Sequence, residues 1–156
     1  MIPTLIRRAT AADASAILDL EARFPVADRI SRQSLLRMLR SDSCDCIVAQ
    51  RRTVLGAAIV LYREGQTAAR LYSIAVHQTA MGTGIGRALI NAVIDAASDR
   101  DCDRVRLEVR ASNESAIALY SRAGFVPFDR KVAYYEDGED AVRMERFLTS
   151  KQEQKA

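Results

Sequence analysis

Met81-Gly82-Thr83-Gly84-Ile85-Gly86-Arg87 is the stretch of this chain with the clearest capacity for chemistry. It lies between a run that reads as a strand and one that reads as a helix. Glycines there let the backbone approach a ligand closely, while the free N–H groups of the first helical turn and the helix dipole favour an anion. The loop therefore reads as a phosphate or pyrophosphate cradle. It is not a Walker A loop, because it has no Gly-Lys followed by Ser or Thr. The dinucleotide pattern G-x-G-x-x-G fails from Gly82, where Arg87 stands at the last position, and from Gly84, where Leu89 does. Metal chemistry is poorly supplied. Zinc takes four ligands, and the chain offers Cys44, Cys46, Cys102 and a single histidine, His77. No metal is expected. The cysteines read as reduced thiols, with Cys44 and Cys46 too close along one strand for an unstrained disulfide.

The elements that must position this loop follow from periodicity and turn signals. Leu5 to Arg8 reads as a strand, and Thr10 with Asp13 starts a helix to about Arg23, stopped by Pro25. A second helix runs from about Ser31 to Arg40, with Arg32, Arg37 and Arg40 as a solvated basic face. Strands follow at Cys46 to Gln50, Val54 to Arg63 and Ala69 to Val76. The helix after the glycine loop, about Gly84 to Ser98, carries Ile85, Leu89, Ala92, Val93 and Ala96 as a 3.6-period stripe. Arg104 to Arg110 alternates strictly. Val105, Leu107 and Val109 face one side, and Glu108 faces the other beside Arg104, Arg106 and Arg110. Asn113, a favoured N-cap, opens a helix to Ala123 that ends at Gly124. Phe125 to Val132 and Ala141 to Leu148 form a last hairpin. The order β-α-α-β-β-β-α-β-α-β-β implies an α+β sandwich with a mixed sheet, antiparallel early and locally parallel later. One domain is expected over residues 1–148, with 149–156 a polar, disordered tail.

Composition narrows the class. The chain has 156 residues, 49% hydrophobic and 28% charged, and a net charge of +3, the balance of a soluble globular protein. No apolar run approaches the ~20 residues of a membrane span, so no membrane association is expected. The N-terminus carries no signal-peptide pattern, which points to a cytoplasmic protein. Mild basicity suits an anionic partner but is too weak to argue direct nucleic-acid binding.

Leu107-Glu108-Val109-Arg110, then Ser112-Asn113, Ala116-Ile117-Ala118-Leu119-Tyr120 and Gly124-Phe125, together with the glycine loop and the preceding Ser73-Ile74-Ala75-Val76, resemble the GNAT acetyltransferase superfamily. Within it, the resemblance is closest to bacterial enzymes that acetylate the N-terminal alanine of a small-subunit ribosomal protein. Tyr134-Tyr135-Glu136-Asp137-Gly138-Glu139-Asp140-Ala141, leading to Met144, looks like the same group. The chain departs from the family pattern at Met81, where Arg or Gln is usual, and at Gln78, usually Pro.

The resemblance implies a three-layer α/β/α GNAT fold on a largely antiparallel mixed sheet. It implies acetyl-CoA as co-substrate and transfer of acetyl to an amine through a ternary complex. Glu108 would be the base and Tyr120, 12 positions later, the acid. The pyrophosphate would lie on Gly82, Thr83, Gly84, Ile85, Gly86 and Arg87, with Asn113 touching the cofactor. The pantetheine arm would lie along the backbone of Ile74, Ala75 and Val76. Phe24, Tyr134 and Tyr135 would wall the acceptor site. Glu136, Asp137, Glu139 and Asp140 would draw a cationic N-terminus to its mouth. The acceptor expected is a protein N-terminus or peptide, with a ribosomal protein as one candidate. The alternatives are a small-amine or lysine acetyltransferase, and a non-catalytic acetyl-CoA-binding or ribosome-associated module using the Arg29 to Arg52 region.

Overall fold

A computed structural model describes residues 2–149; the tail expected beyond Thr149 lies outside the described residues. The strands are β1 (Leu5–Arg8), β2 (Cys44–Gln50), β3 (Val54–Leu61), β4 (Ala68–Val76), β5 (Arg104–Arg110), β6 (Val126–Lys131) and β7 (Ala141–Phe147). The helices are α1 (Ala14–Glu21), α2 (Arg32–Arg40), α3 (Ile85–Asp99) and α4 (Glu114–Arg122). One sheet holds all seven strands in the order β1-β2-β3-β4-β5-β7-β6. Every pairing is antiparallel except β4 with β5. The final hairpin does not simply extend the sheet, because β7 enters between β5 and β6 and leaves β6 at the edge.

The two faces of the sheet carry separate cores. The alternation of β5 buries Val105, Leu107 and Val109 with Leu89, Ile90 and Val93 of α3 and with Tyr120 and Phe125. On the other face Ile17 and Leu20 of α1 and Leu35 of α2 pack on Val48, Ile59 and Ala75. This is the three-layer sandwich. Gly56 decides how closely α3 lies on β3, because a Cβ there would come within 2.8 Å of Ile85 and 2.9 Å of Leu89. Before α1 the chain makes one 3-10 turn, where the Thr10 N–H donates to Asp13 at 2.7 Å. Arg7 grips Asp13 with two bonds of 2.8 Å and holds its carboxyl well below the usual carboxylate range.

Strand β4 is irregular in two places, and both bear on the site. Opposite Ile59 and Val60 the register slips by one residue, leaving Tyr72 unpaired. A bulge of this kind re-aims side chains. Leu71 packs into the α3 core, whereas the next two side chains leave it and Ser73 bonds Glu21 of α1. Further, β4 meets β5 only at Ala68–Arg104, Ala69–Val105 and Arg70–Arg106. From Leu71 onward the two parallel strands part, and a cleft opens through the middle of the sheet.

Candidate active site

The cleft exposes a bare strand edge. The His77 N–H bonds the Leu55 carbonyl on the β3 side at 2.7 Å. Strand alternation therefore turns the Val76 and Ile74 amides toward the cleft, while Ala75 faces β3. The Val76 carbonyl agrees with this, since it accepts from the Arg23 guanidinium at 2.9 Å. The same guanidinium lies 3.3 Å from Met81 Sδ. Arg23 thus bridges the edge of β4 and the start of the glycine loop, a position that nothing in its local sequence marks. The side chains of Ile74 and Val76 pack, partly buried, on the α3 core and that of Ala75 on the α1–α2 core, so the polar groups this edge offers a ligand are those of its backbone.

At the top of this edge the chain makes a 3-10 turn at Gln78–Ala80, capped by His77 Nδ1 accepting from the Thr79 N–H. The lone histidine is a loop cap. Gly82 and Gly84 then take φ of +77° and +89°, conformations that glycine adopts without strain. A Cβ on either would meet nothing within 4 Å, so the loop borders open space. The amides of Ile85, Gly86 and Arg87 open α3 and have no partner within the helix. Thr83 differs from its neighbours, since both its N–H and its hydroxyl donate to the Ala80 carbonyl. The Ile85 side chain is buried, and the Arg87 guanidinium turns away to the Arg122 carbonyl at 2.9 Å. Ile85 can offer an anion only its backbone. Gly86 also serves packing, since a Cβ there would sit 3.1 Å from Leu119 of α4. Asn113 Oδ1 caps α4 by accepting from the Ala116 N–H at 3.2 Å.

Glu108 of β5 faces away from the α3 core, whereas Tyr120 of α4 lies within it. The Glu108 side chain is 13% exposed; Oε2 lies 3.4 Å from Arg70 Nε and Oε1 3.9 Å from Arg143 Nε. Tyr120 is buried beside Phe125, with ring centroids 5.8 Å apart. Burial pushes its phenol above the ordinary range, with Tyr135 adding to the rise. Tyr135 is itself pushed up to about 12, chiefly by burial, and it feels the charge of Glu108.

Tyr134 and Tyr135 meet edge to face at 5.0 Å, and the Tyr134 hydroxyl accepts from Arg70 at 3.1 Å. The turn between β6 and β7 thus folds over the α1–α2 face at Glu108. Phe24 is partly buried against the α1–α2 core. Its carbonyl and that of Ala22 are held by Arg29 at 2.8 Å.

The acidic turn also has internal partners. Arg110 takes Asp137 at 2.7 Å and Glu139 at 3.0 Å, and Arg130 takes Asp140 at 2.9 Å. Asp137 and Glu139 share one guanidinium with Asp28, so the turn is tethered to β5 while its carboxylates still outnumber the guanidiniums that hold them. Sequence reasoning also misses Glu21. This buried carboxylate accepts from the Ile30 N–H at 2.8 Å and from Ser73 at 3.1 Å, and burial raises its pKa. It fastens the α1–α2 segment to β4. Its one visible signal is a charged residue directly after Leu20, on the helix's apolar stripe.

Residues 13–125 match the family described as "Acetyltransferase (GNAT) family". The chain belongs to the GNAT acetyltransferase family. Among curated relatives, the [Ribosomal protein bS18]-alanine N-acetyltransferase of Escherichia coli is 44% identical over 79 residues, 49% of this chain and 53% of that protein. Human N-alpha-acetyltransferase 30 is 38% identical over 88 residues, 56% of this chain and 23% of that protein. The chain covers less than two thirds of the length of these relatives. Solved GNAT structures align over nearly the whole chain. Ribosomal-protein-alanine N-acetyltransferase from Brucella melitensis gives a TM-score of 0.81 at 26% identity, covering 92% of this chain and 99% of that one. Ard1 from Thermoplasma volcanium gives 0.85 at 25% identity, covering 94% and 99%.

Proposed function

We propose that this GNAT protein transfers the acetyl group of acetyl-CoA to the N-terminal α-amino group of a protein or peptide. The observation that carries the reading is the parting of β4 from β5. It opens a cleft running from the glycine loop, past the bare Ile74–Val76 edge, to Glu108 on the opposite strand. The pyrophosphate fits the amides of Gly82, Gly84, Ile85, Gly86 and Arg87, with Asn113 alongside. The pantetheine arm fits the Ile74 and Val76 amides as an added strand, and it displaces Arg23 from the Val76 carbonyl.

The reaction needs a neutral amine, a stabilised oxyanion and a protonated leaving group. An α-amino group with pKa ~7.7–8.0 is mostly protonated at pH 7. Glu108 removes that proton. With Arg70 and Arg143 on its two oxygens, a water held between carboxylate and amine is the natural carrier. Tyr120, kept protonated by burial, donates a hydrogen bond to the sulfur as the C–S bond breaks. The relatives named for N-terminal acetylation support the acceptor class, and the bacterial ones support a ribosomal protein as the acceptor. A CoA-release assay over N-terminal peptides, lysine peptides and polyamines, with mass spectrometry of the product, tests this. Modification confined to lysine side chains or polyamines overturns it.

A further inference from the structure

Beyond Glu108, on the α1–α2 face, lies a cavity of about 550 Å³ between the end of α2, the β3–β4 turn and strands β5 and β7. Its charged lining is Arg37, Arg63, Arg70, Arg106 and Arg143, with Glu108 the only carboxylate. These arginines come from five separate elements, so no local stretch of sequence announces them.

The positive charge is under-compensated. Arg106 is answered from outside the cavity by Glu145 at 2.9 Å. Arg70 and Arg143 share Glu108, and Arg143 also reaches Asp129 at 3.4 Å. Arg37 bonds only the Ser34 hydroxyl, and among the described residues neither Arg37 nor Arg63 pairs with a carboxylate. Arg143 Nε is shielded from solvent and makes no hydrogen bond. A shielded N–H without a hydrogen-bond acceptor is costly even where carboxylates answer the charge of its guanidinium, and guanidinium forks match carboxylates in two-point bonds. Arg37 and Arg63 thus leave the cavity with more positive than negative charge, and it abuts the carboxylate assigned to the acceptor amine.

We infer that this cavity receives an acidic side chain of the acceptor, so that preferred acceptors are N-termini followed within a few residues by Asp or Glu. The inference rests on the N-terminal acetyltransferase reading above and deepens it. A free acidic amino acid would present the same carboxylate and amine, and the cavity size, within the ~300–1,000 Å³ of small-ligand sites, admits either source. The Tyr134–Tyr135 pair, bonded to Arg70 of the lining, offers apolar surface for the peptide's further residues and favours the peptide.

The test compares kcat/KM for peptides that differ only in Glu or Gln at the second and third positions, at low and high salt, with free glutamate as a separate acceptor. The expected result is a preference for the acidic peptide of roughly tenfold, shrinking in salt because charges at the cavity rim are screened. The preference should fall severalfold in Arg37→Gln/Arg63→Gln, whose two sites are exposed and unpaired and so tolerate substitution. Equal rates for Glu and Gln peptides overturn the inference and leave N-terminal acetylation standing. Faster acetylation of free glutamate than of any peptide overturns the peptide source. A rise in Tm with the acidic peptide alone, without turnover, supports the cavity and overturns the transfer reading. Neither binding nor turnover of any peptide overturns both.

Discussion

Arg110 holds Asp28 in a two-point grip, Nε at 2.9 Å and Nη2 at 3.1 Å from the carboxylate oxygens. Asp28 ends the short turn that leads from α1 to α2, and Arg110 is the last residue of β5. The remaining nitrogen of Arg110 reaches the β6–β7 turn at Asp137 and Glu139, and its plane lies 4.2 Å from the Tyr135 ring centroid. One guanidinium therefore joins both loops that flank Glu108 and packs the phenol between them.

If this clasp shapes the acceptor mouth, Arg110→Met frees both loops and leaves the glycine loop untouched. Peptide KM should rise roughly two- to fivefold, the range that partly exposed ion pairs support. The Tm gain given by acetyl-CoA should stay as it is. Initial rates over a peptide titration, with thermal melts in acetyl-CoA, check both. An unchanged peptide KM would make the clasp purely structural.

Gly84 at φ +89° starts α3 beside open space. Gly84→Val puts a branched side chain into that space and into a left-handed conformation costing about 1–2 kcal/mol. The protein should fold with a lower Tm and lose the stabilisation that acetyl-CoA gives, since a ligand raises Tm only while it binds the native state. A full acetyl-CoA shift in the folded variant argues against the pyrophosphate position.

Tyr120 needs a variant that keeps its ring, because that ring fills the core beside Phe125. Tyr120→Phe should lower kcat roughly 10- to 1000-fold and leave acetyl-CoA affinity near wild type. Single-turnover rates with saturating acetyl-CoA measure this directly. Wild-type turnover would reduce Tyr120 to a packing residue.

The parts legible in the sequence are those written locally. The strict alternation of Arg104 to Arg110 marks both the core face and the side on which Glu108 stands. The glycines at 82 and 84 mark the turn before α3. The parts that escape are built from residues far apart in the chain. The insertion of β7 between β5 and β6 depends on sheet pairing that no local pattern encodes. Gly56 reads as a break in an apolar run, yet it is the place where α3 touches the sheet. Arg23 reaches 53 positions ahead to Val76, and Arg110 reaches 82 back to Asp28. That the turn of Glu136, Asp137, Glu139 and Asp140 is also a tether escapes for the same reason, since the arginines that hold it come from other strands.

Glu108 gives the sharpest test of the chemistry, because its environment separates two roles. As a base, or as the anchor of a water that acts as one, it matters only while the acceptor amine is protonated. Glu108→Gln should then lower kcat/KM most near pH 7, and the deficit should shrink as pH rises past the amine pKa of ~7.7–8.0, where the amine deprotonates unaided. As a mere counter-charge for Arg70 and Arg143, it matters equally at every pH, because guanidiniums keep their charge throughout. The substitution also removes the only carboxylate of the arginine-lined cavity, so some stability is lost whichever role holds. Urea midpoints of the variant therefore accompany the pH–rate profile, and Glu108→Asp, which restores the charge on a shorter arm, should recover stability more than rate. A deficit constant from pH 6.5 to about 9.5 would assign Glu108 to holding the two arginines and leave proton removal to another group.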